Sequence, residues 1–126
     1  MTLTSYAQVF DDLADEISEI ADSKGFWDYD GISEATMTIP LKLALIHSEI
    51  TEALEVNRKF YDGEETSSYS GMTPTQEQDF SEELADAVIR ILDVIGFYGL
   101  GEDFGDILVA KIEKNRERPH LHGKRY

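Results

Sequence analysis

Apolar residues recur at intervals of three and four along most of this chain, and that spacing restricts it to helices. The stretch from Tyr6 to Ile20 shows the pattern most clearly, with acidic residues largely on its other side. Comparable stretches begin near Thr38, Thr73 and Glu102, and none alternates apolar and polar residues as a strand would. We therefore predict an all-α protein in which four amphipathic helices form an antiparallel bundle.

Local signals set the expected ends of these helices. Gly25 is expected to stop the first helix, and Pro40 is expected in the first turn of the second. The four residues from Thr73 offer an N-cap threonine, a proline in the first helical position and a capping-box glutamine. Three glycines indicate the end of the third helix: Gly96, Gly99 and Gly101.

Length and composition favour one domain over residues 1–126. Within it, residues 62–72 read as a mobile surface loop and residues 119–126 as a basic C-terminal tail. The predicted third helix carries apolar residues around much of its circumference, which indicates contacts on more than one side. We therefore expect a homodimer or a dimer of dimers, that is, a homotetramer.

Charge and residue usage exclude several classes of protein. The formal net charge is −15, with 26 acidic and 11 basic residues, so most of the surface would repel nucleic acid polymers and anionic membranes. There is no cysteine, which excludes disulfides and thiol chemistry. No apolar run is long enough to cross a membrane, and no signal sequence follows Met1. These features predict a cytoplasmic protein.

Two pairs of carboxylates carry the strongest chemical signal. Glu49 and Glu52 stand three residues apart in the second predicted helix, and Glu83 and Asp86 do so in the third. Residues at this spacing project from one face of a helix, and the two helices are expected to be antiparallel neighbours. Four facing acids repel one another unless protons or a hard cation neutralise them, which favours Mg²⁺ or Mn²⁺.

Other interpretations of these acids stay open at this level. A solvated acidic helix face would show the same spacing, and Arg90 could form a structural ion pair with Asp86 or Asp93. A di-iron centre is disfavoured, because no histidine stands three residues after a glutamate in a predicted helix.

Basic residues are concentrated at the other end of the chain. Residues 111–126 hold six of the 11 Lys and Arg residues but only two acids. Lys111, Asn115 and Arg118 share one helical face and would suit a polyphosphate, although helix C-termini favour such residues in any case. Trp27 is the only tryptophan and would serve either as a cap on the core or as a platform for a nucleobase.

Together these residues resemble the MazG-like family of all-α nucleoside triphosphate pyrophosphohydrolases, a superfamily that includes dimeric dUTPases and phosphoribosyl-ATP pyrophosphohydrolases. The family pattern is Glu-x-x-Glu, a spacer and Glu-x-x-Asp, matched here by the two acid pairs. The segments around Trp27 and from Lys111 to Lys124 are similar to the short, single-domain members. Many relatives carry a further glutamate before the first motif, where this chain has Ser48, so any metal contact made by that glutamate is absent here.

The resemblance implies a Mg²⁺-dependent enzyme, with Mn²⁺ as a substitute, that cleaves a nucleoside triphosphate between its α and β phosphates. The products are a monophosphate and pyrophosphate, and the expected role is house-cleaning of the nucleotide pool. The metal-binding and catalytic residues are expected to be the four acids Glu49, Glu52, Glu83 and Asp86. The expected substrate contacts come from both ends of the chain: Trp27, Asp93, Lys111, Asn115, Arg118, His122 and Lys124.

Two alternatives remain at this level. One is a dedicated enzyme of the dUTPase or dCTPase type, and the other is a non-catalytic helical module that binds a nucleotide or a metal.

Overall fold

The computed structural model describes residues 3–27, 34–59 and 71–120. Four helices make up almost all of this part of the chain: α1 (Leu3–Ser23), α2 (Glu34–Arg58), α3 (Pro74–Phe97) and α4 (Gly101–Glu117). The described residues contain no strand, which confirms the predicted all-α class. None of these helices is both long and apolar enough to span a membrane.

The helices pack in the spatial order α2, α3, α1, α4. The central helix α3 lies against α2 on one side and α1 on the other, while α4 packs chiefly on α1 and has little contact with α3. A small core holds α1, α3 and α4 together. It consists of three buried side chains with three aromatic or aliphatic neighbours: Ala14, Leu92, Ile95, Phe10, Ile17 and Phe104.

Two glycines let α1 approach its neighbours closely. A Cβ added to Gly96 of α3 would overlap the carbonyl oxygen of Ala14, and one added to Gly105 of α4 would overlap that of Ala7. The predicted end of the third helix near Gly96 and Gly99 is confirmed, because α3 ends at Phe97. Gly96 is the penultimate residue of this helix and is also needed for packing. The helix ends two residues before Gly99, which has a positive φ of 67°.

The start of α3 follows its local sequence. The side chain of Thr73 accepts a hydrogen bond from the backbone N–H of Gln76, and the Gln76 side chain accepts one from the backbone N–H of Thr73. This is the predicted capping box, with Pro74 in the first helical position.

The start of α2 was predicted wrongly. The helix begins at Glu34 rather than near Thr38, so Pro40 lies within it and not in its first turn. Proline has no N–H to bond the preceding turn. Tertiary packing compensates, because Thr38 and Lys42 on either side of the proline are both buried.

Several predicted features fall partly or wholly outside the described residues. Of the predicted loop 62–72, only Gly71 and Met72 are described, and Met72 is buried just before the α3 cap. The tail is described only as far as His120, so His122 and Lys124 lie outside the described residues.

Candidate functional site

The four predicted acids meet between α2 and α3 and are called the acid cluster below. Carboxylate oxygens of Glu49, Glu83 and Asp86 all lie within 4.8 Å of one another. Glu49 is only 7% exposed, whereas the neighbouring Glu52 is exposed. Hydrogen bonding to Glu83 raises the pKa of Glu52, and the negative charge of Glu49 raises it further. The acids of the cluster therefore repel one another, and this repulsion favours a proton or a cation among them.

One atom of the cluster shows this need for a proton or a cation directly. Oε2 of Glu83 is buried and has no hydrogen-bond partner among the described residues. A proton shared with Glu52 would supply one, but two ionised carboxylates offer only acceptors. A buried polar atom without a partner is unfavourable, and a cation with oxygen ligands would satisfy it. The acid cluster therefore fits a hard divalent cation.

Arg90 supplies one positive charge to the acid cluster. Its Nε donates to Oε1 of Glu49 across the α2–α3 contact at 2.5 Å. The expected structural ion pair with Asp86 or Asp93 is thus formed with Glu49 instead, because α2 presents Glu49 opposite Arg90. The Glu49 side chain is 9% exposed and the Arg90 side chain 37% exposed, so the pair lies at the edge of the cluster.

A pocket of about 420 Å³ opens beside the acid cluster, between α1, α2 and α3. One part of its wall is apolar and comes mostly from α1 and the turn after it: Ile17, Ile20, Ala21, Phe26 and Ile89. The other part is charged: Lys42, Glu49, Asp86, Arg90 and Asp93. The volume falls in the range of small-molecule sites, and the mixed wall suits a ligand with an apolar ring and an ionic group.

Trp27 is buried, with 6% of its surface exposed, and contacts two residues of the pocket wall, Asp93 and Lys42, without lining the pocket itself. Its indole N–H donates to Oδ1 of Asp93 at 2.8 Å, and its ring stacks on Phe97 with 3.6 Å between centroids. Nζ of Lys42 lies 4.1 Å from the centre of the indole ring. Because Phe97 covers one face and Lys42 the other, a base could stack on Trp27 only after Lys42 had moved. Stacking on Trp27 therefore stays a prediction.

Burial changes the proton affinity of the two charged groups beside Trp27. Desolvation raises the pKa of Asp93, although the Trp27 hydrogen bond and the charge of Lys42 oppose the change. Desolvation likewise lowers the pKa of Lys42, whose ammonium group donates to the backbone oxygen of Phe26 at 2.8 Å. Asp93 and Trp27, two predicted substrate contacts, are thus both buried and hydrogen-bonded to each other.

The structure does not bring the predicted basic face to the acid cluster within one chain. Lys111, Asn115 and Arg118 are exposed, and none of them lines the pocket. Near the end of α3, Gly96 packs against Ala14, whereas Gly105 of α4 packs against Ala7. From the end of α3 into α4 the chain therefore advances towards the N-terminal end of α1.

The pocket meets α1 at the opposite end of that helix, around Ile17 to Ala21. The contact between Gly105 and Ala7 lies about 15 Å along α1 from this point. The basic face lies beyond that contact and away from the pocket.

Sequence reasoning did not assign Lys42 to the site or pair Arg90 with Glu49. A signal for Lys42 was present, because it precedes Glu49 by seven residues and therefore lies on the same face of α2. The partner of Arg90 is 41 residues away in the chain, and no local spacing indicates it.

Comparison with known proteins found no matching family model, no similar curated protein and no similar solved structure.

Proposed function

We propose that this chain is a MazG-like, Mg²⁺-dependent nucleoside triphosphate pyrophosphohydrolase. The observation that carries the proposal is the acid cluster at the edge of a pocket of about 420 Å³, where a buried oxygen of Glu83 has no donor among the described residues. The products would be a nucleoside monophosphate and pyrophosphate, and the role would be house-cleaning of the nucleotide pool.

The acid cluster would hold the cation, with Mn²⁺ as a substitute for Mg²⁺. When bound, the cation would supply Lewis-acid activation of the phosphate and of the attacking water. Glu49 is engaged by Arg90, whereas Glu52 is exposed and ends at the cluster, so Glu52 is the better placed of the two to accept a proton from water. The apolar part of the pocket wall would receive the nucleoside.

The predicted phosphate contacts on α4 lie away from the acid cluster of their own chain. Lys111, Asn115 and Arg118 would reach this site only from a second copy of the chain or from a different position of α4. This condition favours one alternative function, a non-catalytic helical module that binds a metal or nucleotide through the α2–α3 site alone.

An exposed apolar surface supports self-association as a homodimer or a dimer of dimers. Six side chains on α2 and α3 are each 39–49% exposed: Leu43, Ile50, Leu54, Leu84, Val88 and Ile91. Their helical phases put all six on one side of the α2–α3 pair, and they are called the α2–α3 face below. Patches of this kind are uncommon on soluble monomers.

The size of the α2–α3 face suits a second copy of this chain. Two adjacent helices with about 30 Å of shared length and about 20 Å of combined width offer about 600 Å² per copy. Two copies would then bury about 1,200 Å² in total, the lower bound of a specific interface. We therefore propose that the α2–α3 face of one copy covers that of another.

A product assay tests the proposed reaction. The protein is incubated with a panel of deoxynucleoside triphosphates and Mg²⁺, and the products are separated. Monophosphate and pyrophosphate, lost in Glu83→Gln and in Asp86→Asn, are the expected result. Activity on one base alone would indicate a dedicated dUTPase or dCTPase, and orthophosphate as the direct product would contradict the proposed bond.

The control variant is Glu82→Gln, which removes an exposed carboxylate next to Glu83 and should leave turnover unchanged. No turnover by a folded protein that still binds Mg²⁺ would favour the binding module.

A further inference from the structure

Arg90 occupies a position where it can respond both to a cation and to an anion. Its guanidinium binds Glu49 through Nε, and its side chain also lines the pocket. About a third of the side chain is exposed, and the hydrogen bond to Glu49 uses Nε and not a terminal nitrogen. An arginine fork of this kind suits the oxygens of a phosphate group.

A divalent cation in the acid cluster would change the balance at Glu49. Oxygens of Glu49, Glu83 and Asp86 lie within 4.8 Å of one another, so a cation held by them would stand next to the Arg90 guanidinium. The two positive charges repel and also compete for the same carboxylate. Arg90 therefore acts as an internal counter-ion of the cluster that a bound cation would displace.

A displaced Arg90 would stay at the pocket. The acceptor one turn further along α3 is Asp93, and its Oδ1 already accepts from Trp27 and is buried. Lys42 lines the same wall and adds a second positive charge near Asp93. A phosphate oxygen of a cation-bound ligand would then be the complementary partner for the freed guanidinium.

We propose that Arg90 is a positioning residue that pairs with Glu49 in the cation-free protein and binds a phosphate of the ligand once a divalent cation has taken Glu49. This inference rests on the proposed cation site but not on hydrolysis. Arg90 would thus supply a phosphate contact from the same chain as the acid cluster, which the basic face of α4 does not. The proposal predicts that removal of Arg90 strengthens binding of the cation and weakens binding of the anion.

The test compares Arg90→Gln with the unmodified protein in two binding titrations. Mn²⁺ binding is measured by electron paramagnetic resonance, and binding of methylenediphosphonate at saturating Mn²⁺ is measured by calorimetry. Loss of Arg90 should tighten Mn²⁺ binding about threefold to tenfold, because the competitor is gone, and should weaken diphosphonate binding by about tenfold or more. Unchanged Mn²⁺ affinity, or tighter diphosphonate binding, would overturn the proposal.

Three further variants separate this role from a general effect of charge. Arg116→Gln removes an arginine whose side chain is 68% exposed and paired with Glu113 on α4, and it should change neither titration. In a Glu49→Gln background, Arg90→Gln should no longer tighten Mn²⁺ binding, because the shared carboxylate is absent. Arg90→Lys keeps the charge without the fork, so it should retain near-normal Mn²⁺ affinity but bind the diphosphonate more weakly.

The outcomes distinguish this inference from the proposed function. Mn²⁺ binding that is indifferent to Arg90 contradicts the role of Arg90 and leaves the hydrolase proposal standing. If Arg90→Gln tightens Mn²⁺ binding and weakens diphosphonate binding, but the unmodified protein releases no pyrophosphate, the role of Arg90 is supported and the hydrolase proposal is contradicted. A protein that binds no Mn²⁺ overturns both.

Discussion

At the scale of single residues, the clearest feature is a buried carboxylate oxygen for which residues 3–27, 34–59 and 71–120 supply no donor. Oε2 of Glu83 is buried beside other acids, so the cation-free protein tolerates an unfavourable contact between α2 and α3. Binding sites often carry such local costs, because the ligand relieves them. The cost should be measurable as a change in the stability of the fold.

We predict that Glu83→Gln stabilises the cation-free protein, because the amide is uncharged and can donate to a neighbouring carboxylate. The melting temperature without divalent ions should rise by about 2–6 °C, as expected for relief of about 1 kcal/mol or slightly more. Addition of Mg²⁺ should raise the melting temperature of the unmodified protein but not that of the variant.

Glu82→Gln is the matched control for this measurement, since Glu82 is exposed and its side chain accepts from Gln78 on the same helix. A lower melting temperature for Glu83→Gln in the absence of ions would contradict the prediction.

A second prediction at this scale concerns the protonation of Asp93. Burial raises its pKa above the ordinary value of 3.8, and its carboxylate accepts from Trp27, the only tryptophan. Trp27 fluorescence should therefore show a transition on acidification with a midpoint above pH 3.8. Because the folded state favours the protonated form, the stability contributed by this group is present at low pH and is lost as the pH rises through the pKa of Asp93.

The transition should be absent in Asp93→Asn, whose amide oxygen still accepts from Trp27. Asp22→Asn removes an exposed carboxylate near Asp93 and should keep the transition, moved slightly to lower pH. The same transition in Asp93→Asn would assign the signal to another group.

At the scale of helices, close contacts between backbones decide how α1 meets its neighbours. Gly105 of α4 lies against Ala7, and its N–H donates to the Asp11 carboxylate of α1 at 2.8 Å. Glycine in a helix costs about 1 kcal/mol relative to alanine. The close packing explains why the helix nevertheless carries glycine at this point.

We predict that Gly105→Ala destabilises the protein by about 1–3 kcal/mol. Helix propensity alone would predict the opposite, because alanine is the better helix former. The added methyl group would overlap the carbonyl oxygen of Ala7, so α4 would have to move away from α1. Urea unfolding measures the change. The control is Ala110→Gly at an exposed position of the same helix, which should destabilise the protein by about 1 kcal/mol. Glycine would then be the more stable residue at position 105 and alanine at position 110.

A more stable Gly105→Ala protein would show that α4 is not held against α1 at this distance.

The sequence predicted those features that depend on neighbouring residues. The capping box at Thr73 and the four helical segments follow from local spacing, and the meeting of the acid pairs follows from two consecutive helices. The interior position of Pro40 was missed because tertiary packing, not local preference, extends α2 past it. The order of the helices, the pairing of Arg90 with Glu49 and the distance of α4 from the acid cluster depend on packing angles that no local pattern encodes.

At the scale of the whole molecule, charge and apolar surface oppose each other. The net charge of −15 disfavours association, yet the α2–α3 face leaves apolar side chains exposed on one side. A second copy would remove this face from water, and salt would screen the repulsion between copies.

We predict that the protein is at least a dimer in solution, with a mass at least twice the 14.2 kDa of the chain. Val88→Glu, in the middle of the α2–α3 face, should give monomers because it adds a charge at the contact. Light scattering after size exclusion measures the mass. Ile107→Glu, which changes an exposed residue of α4, should keep the assembly. A monomeric unmodified protein at high salt and at concentrations of about 100 μM would contradict the proposed face.

The packing order α2, α3, α1, α4 also determines how the molecule opens. The helices α3 and α1 are each supported on two sides, while α2 and α4 are each held chiefly by a single neighbour. Local opening should therefore begin at α4 or α2, and the amide hydrogens of α3 should be among the last to exchange with deuterium. Since the acid cluster has Glu49 and Glu52 on α2 but Glu83 and Asp86 on α3, the two acids on α3 would stay in place while the two on α2 sample open states. A cation that joins the two halves would then slow exchange along α2 while leaving α4 unprotected.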